Sequence, residues 1–118
     1  MEKLKRPKAL SGKTVRVETG CGNLYITLNS DKDKLFEVFA TLGKTGACAN
    51  AQCEALTRLL TLGLRCGVPV GEYIKELEGI QCPNARMFPE RDRVLSCPDA
   101  IAKILREEYV NGNETSNG

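Results

Sequence analysis

At 118 residues the chain is sized for one domain with a core of its own. An apolar content of 42%, a charged content of 27% and the absence of any membrane-length apolar run point to a soluble globular protein. A net charge of +2 gives no global case for nucleic acid, and the lack of histidine excludes Ser-His-Asp and Cys-His catalysis, Cys/His zinc fingers and His-based iron sites.

Residues 1–13 read as a basic arm, with Lys3, Lys5, Arg6, Lys8 and Lys13 against Glu2 alone. No apolar segment follows, so no secretory leader is expected, and the protein is placed in the cytoplasm. Such an arm is a solvated tail or, with phosphate as its target, a contact to nucleic acid.

The domain proper is expected over residues 14–110. "TVRVETG", Thr14 to Gly20, alternates as a strand. "CGN" supplies a turn, and "LYITLN", Leu24 to Asn29, returns with Leu24, Ile26 and Leu28 on one side. "LFEVFATLG", Leu35 to Gly43, is apolar on both faces and is expected in the centre of the sheet. Glu18 and Glu37, on these strands, are read as part of a solvated face. "GKTG" at Gly43 to Gly46 is not a P-loop, because Val38 stands where that motif needs glycine. Lys44, Thr45 and Gly46 remain an anion- or nucleotide-binding candidate at a helix start, or simply the turn into it.

"AQCEALTRLLTLGLRC" carries Leu56, Leu59, Leu60 and Leu64 at helical spacing and ends near Gly67. A second helix places Val70, Ile74 and Leu77 inward and stops at Gly79. The third opens on "SCPD": Ser96 with Asp99 is a capping-box pattern, and Pro98 suits the first helical position. Ile101, Ile104, Leu105 and Tyr109 form its apolar face, and residues 111–118 are expected to be a disordered tail. Strands first and helices after predict an α+β fold, a small three-stranded antiparallel sheet packed on three helices.

Six cysteines in a cytoplasmic chain favour metal or redox use over structural disulfides. Cys53 and Cys66 lie inside the long helix and read as core. Cys21, Cys48, Cys82 and Cys97 sit beside Gly or Pro where the chain turns, which is how thiolates are presented to a metal. Four such thiolates make a closed tetrahedral zinc site, although no C-x-x-C spacing is present and iron would suit the same ligands. Cys97, beside the helix N-cap, stands where free N–H groups favour a thiolate. The alternatives are a redox dithiol of Cys82 and Cys97, or plain structural thiols.

"TGCGNLYITLN", "FEVFATLGKTGACA", "EALTRLLTLGLRCGV", "LEGIQCPN" and "VLSCPDAIAKIL" together resemble the TSCPD domain, with Leu95 in place of the family's leading Thr. That domain occurs at the C-terminal end of adenosylcobalamin-dependent ribonucleotide reductases and as small free-standing proteins. The resemblance runs from about Leu10 to about Tyr109, and the four turn cysteines fall in its recurrent phrases. It implies a free-standing zinc-binding module in deoxyribonucleotide metabolism and DNA synthesis, with an accessory or interaction role. The catalytic barrel and its cobalamin site are not expected on this chain, nor is the C-x-x-C tail of some reductases, so reductase activity is not expected of it alone. Implied partners are a reductase subunit, a second copy, or nucleic acid through the basic arm. A thiol carrier to a reductase and a nucleotide- or nucleic-acid-binding regulator are the alternatives.

Overall fold

The computed structural model describes residues 2–43 and 47–110. Lys44, Thr45 and Gly46, the anion-binding candidate, lie outside the described residues, as does the expected tail. The order is β1 (Ser11–Thr19), β2 (Gly22–Asp31), β3 (Lys34–Leu42), α1 (Ala47–Arg65), α2 (Val70–Leu77) and α3 (Cys97–Leu105), which continues as a π-helical turn over Arg106–Val110. The strands form one antiparallel sheet in the order β1-β2-β3. The α+β expectation of three strands and three helices therefore holds.

The central strand is β2. Leu24, Ile26 and Leu28 alternate with polar neighbours, and all three are buried against the helices. The placement of β3 at the centre is corrected: it is an edge strand. Its two-sided apolar character has another cause. Val38, Ala40 and Leu42 face the core, a bulge opposite Asn29 and Ser30 turns Phe36 out of the alternation, and α1 runs along the strand's free side. Thr61 Oγ1 accepts from Val38 N at 3.0 Å and donates to Val38 O at 3.1 Å. Asn50 does the same for Leu42. The outward backbone groups of Val38 and Leu42, two of the positions a fourth strand would pair, are thus taken by helix side chains.

Glu37 is not on a solvated face. It is 4% exposed and held bidentately by Arg6, at 3.0 and 2.9 Å, with Asn29 Nδ2 at 2.8 Å. Arg6 comes from the basic arm, whose Leu4 N donates to Arg65 O at the end of α1 while the Arg65 guanidinium donates to Leu4 O. Lys13 likewise pairs with Glu108. Part of the arm's charge is thus spent inside the fold. Glu18 is exposed and pairs with Arg86 at 3.5 Å.

On α1 the buried stripe is Cys53, Thr57, Leu60 and Leu64, while Leu59 is 69% exposed. The leucine spacing includes Leu59, but it falls one position off the face that meets the sheet. Val70, Ile74 and Leu77 of α2 are buried as expected, and Gly79 ends the segment at φ +90°. Tyr109 closes the core at the far end, its hydroxyl 2.6 Å from Ser30 Oγ.

Candidate functional site

The "SCPD" phrase is built first for architecture. Ser96 is the N-cap of α3, its Oγ accepting from Asp99 N at 3.1 Å and donating to Ile80 O at 2.6 Å. Pro98 consequently falls on the second helical position, not the first, where its missing N–H is still one of the donors that have no helical partner. The carboxylate of Asp99, 1% exposed, accepts from Gly79 N at 2.9 Å and Leu95 N at 3.0 Å, with Lys103 Nζ at 3.5 Å. One buried anion thus fastens the end of α2, the incoming loop and the start of α3.

That clasp sets Cys97 as the first residue of α3, half-buried and facing the sheet. Its thiol lies beside Cys53 of α1 and near the hydroxyl of Thr19 at the end of β1, and both act on its ionisation. The same hydroxyl accepts from Cys21 N at 3.1 Å and donates to Gly22 O at 2.7 Å, which shapes the β1–β2 turn. Asn84 Nδ2 donates to Cys21 Sγ at 3.6 Å. The turn can approach this loop because Gly20 has no Cβ: one placed there would lie 1.4 Å from Asn84 O. Cys82 N donates to Leu95 O, which brings Cys82 to the same end. Cys48 is exposed in the first turn of α1, close to where Asn50 meets the end of β3.

The elements bearing Cys21, Cys48, Cys82 and Cys97 therefore meet at one end of the sheet. Among the described residues, however, no group of three or more Cys, Asp or Glu side chains stands close enough to hold a metal ion. As arranged, the four thiols form no cage. The pair brought into contact is Cys97 with Cys53, and Cys53 is 3% exposed as its core reading requires. Sequence reasoning gave Cys53 no part in the site. A contact across two helices 44 positions apart leaves no local pattern, and the available signal was only the heptad-like offset from Thr57 and Leu60 that turns Cys53 inward.

The contact also reverses the expected ionisation of Cys97. Its thiol is pushed well up, first by the hydrogen bond it gives Cys53, then by burial and by repulsion from a Cys53 thiolate. Cys53 is drawn down by that same hydrogen bond, against burial and the nearby Cys21. Cys53 thus opposes the helix N-terminus, which by itself would favour the thiolate at Cys97.

The family model of the TSCPD domain matches residues 2–109. The chain belongs to the TSCPD domain family. Relatives include the vitamin B12-dependent ribonucleotide reductases of Agrobacterium fabrum, 25% identical over 93% of this chain, and of Streptomyces clavuligerus and Streptomyces coelicolor, each 30% identical over 88% of it. This TSCPD chain spans only 9% of the first and 11% of the other two. No solved structure matches it. No helix among the described residues is long and apolar enough to cross a membrane.

Proposed function

We propose that this TSCPD chain is an accessory module for ribonucleotide reduction that supports a reductase and does not perform the reduction alone. The observation that carries the reading is the alignment of nearly the whole chain with about a tenth of the length of vitamin B12-dependent ribonucleotide reductases. Its partner is a reductase subunit or a second copy of itself, in the cytoplasm.

Within that role, the cysteine end takes one structural zinc through Cys21, Cys48, Cys82 and Cys97. Their shared location supports this, as does the donor chemistry, four thiols without histidine. Metal binding would then require the first turn of α1 to carry Cys48 inward, and would add folding energy as structural zinc does. The nearness of Cys53 to Cys97 favours a second reading, a dithiol carrier using those two thiols rather than Cys82 and Cys97. Its oxidation would form one disulfide and release two protons and two electrons to a reductase disulfide.

The test is zinc content per chain on protein purified without added metal, with thiol titration before and after chelation. One zinc, lost in each of Cys21→Ser, Cys48→Ser, Cys82→Ser and Cys97→Ser but kept in Cys53→Ser, supports the metal reading. No zinc, with a Cys53–Cys97 disulfide that cycles under a thioredoxin-type reductant, replaces it with the carrier. Co-sedimentation with a reductase lacking its own TSCPD region tests the accessory role.

A further inference from the structure

The two edges of the sheet are finished differently. At β3 the outward backbone groups of Val38 and Leu42 are met by Thr61 and Asn50. At β1 the register fixes which groups point outward. Thr19 and Gly22 close the hairpin across two residues, so Thr19, Val17, Val15 and Lys13 bond to β2, and Gly12, Thr14, Arg16 and Glu18 face away from it. Among the described residues no backbone hydrogen bond reaches that outer side, and the contact there is Arg86 Nη1 on Glu18 O at 3.3 Å.

A groove of about 530 Å³ runs beside this open edge, between β1, the loop from Arg86 to Val94, and α3. Its floor is apolar: Val15 and Val17 are half-buried and abut Val94, Ala100 and Ile104 of the core. Its walls carry Arg16, Arg86, Arg91, Arg93 and Lys103 with Glu18, Asp92 and Glu107; Arg86 pairs with Glu18 and Asp92, Arg91 with Asp92, and Lys103 with Asp99, which leaves Arg16 and Arg93 outside the ion pairs found among the described residues. Opposite the edge, Arg86 and Val94 pair with each other in a two-residue bridge that braces the loop.

We propose that this groove is a β-addition site, in which an extended acidic segment of a partner polypeptide adds as a fourth strand beside β1. The outward N–H and C=O groups of Gly12, Thr14 and Arg16, with the N–H of Glu18, would supply main-chain hydrogen bonds. Alternate side chains of the segment would reach the valine floor, and the intervening ones would face the arginines, so the segment alternates apolar and acidic residues. Arg16 and Arg93, outside those ion pairs, favour an acidic segment over a basic one.

The probe is a labelled eight-residue peptide alternating Val or Ile with Glu, alongside its counterpart with Lys in place of Glu. Binding is read by fluorescence anisotropy on the full chain, and amide exchange is followed at Thr14 and Arg16. The acidic peptide binds, slows exchange at both amides, and outcompetes the Lys peptide by at least about tenfold. Thr14→Pro removes one outward N–H from an edge position where proline is tolerated, and weakens binding by a similar factor. Arg93→Glu, at an exposed loop position, weakens it without touching the strand. No binding at millimolar peptide, binding undiminished in Thr14→Pro, or unchanged exchange at Thr14 and Arg16 overturns the proposal. So does concentration-dependent self-association that Thr14→Pro abolishes, which would make a second copy the occupant.

Discussion

The side-chain amide of Asn50 serves both backbone groups of Leu42, Oδ1 accepting from Leu42 N at 2.8 Å and Nδ2 donating to Leu42 O at 3.1 Å. It is one of two points at which α1 is bonded to the edge of β3, the other being Thr61 on Val38. Eleven helical residues rise roughly 16 Å and four strand residues roughly 14 Å, so the two contacts fit without bending either element. Asn50→Ala leaves a donor and an acceptor on a buried residue without partners, and is expected to cost about 1–3 kcal/mol. Urea midpoints of Asn50→Ala and Thr61→Val, singly and together, check this. The exposed edge should also raise the aggregation rate.

Asp99 accepts two backbone N–H groups and is almost fully buried. Asn in its place points an N–H₂ at one of those donors, so Asp99→Asn is expected to destabilise by roughly 1–3 kcal/mol, and Ser96→Ala by about 1 kcal/mol through loss of the cap. Denaturant unfolding measures both. Rescue of Asp99→Asn to wild-type stability would show that the clasp is not what holds α2 to α3.

Arg6, through its hydrogen bonds, holds the Glu37 carboxyl below the usual glutamate range, with Asn29 assisting against burial. A carboxylate lowered in the folded state stabilises above its unfolded value, and that contribution is lost as pH falls through the folded one. Wild type should therefore lose stability faster than Glu37→Gln on acidification below the ordinary glutamate range. Urea titrations of both proteins at neutral and acid pH give the difference, which should shrink as pH drops. Arg6→Ala should flatten the wild-type dependence in the same way.

Among the cysteines, exposed Cys48 should alkylate first, and Cys97 slowly despite its place at a helix start. Cys53→Ala removes the largest cause of the upward shift at Cys97, restores thiolate, and should speed its reaction with iodoacetamide, as followed by peptide mass spectrometry. An unchanged Cys97 rate in Cys53→Ala would mean that burial alone slows it.

Local patterns were well read where the chain answers to its neighbours in sequence. The Ser96–Asp99 cap, the inward triplet Val70, Ile74 and Leu77, and the Leu24–Leu28 alternation each state their structure within a few residues. What failed depended on distant partners. Glu37 meets Arg6 across 31 positions, Cys53 meets Cys97 across 44, and β3 owes its covered outer side to two polar residues of α1. An edge closed by Asn and Thr resembles, in composition alone, a central strand. The four cysteines were legible as residues at turns, while the approach of Cys53 to Cys97 was not.

Lys13, where the chain has just entered the sheet, pairs with Glu108, and Tyr109 beside it bonds Ser30 on the neighbouring strand. The first and last parts of the folded unit are thus stitched to the same corner. The arm ahead of β1 leaves this corner and docks Arg6 on Glu37 and Leu4 on Arg65, so the entry of β1 and the last helical turn act as one seam while the arm is held separately. Loosening the seam by Lys13→Ala with Tyr109→Phe would fray the start of β1 and the end of the helix together.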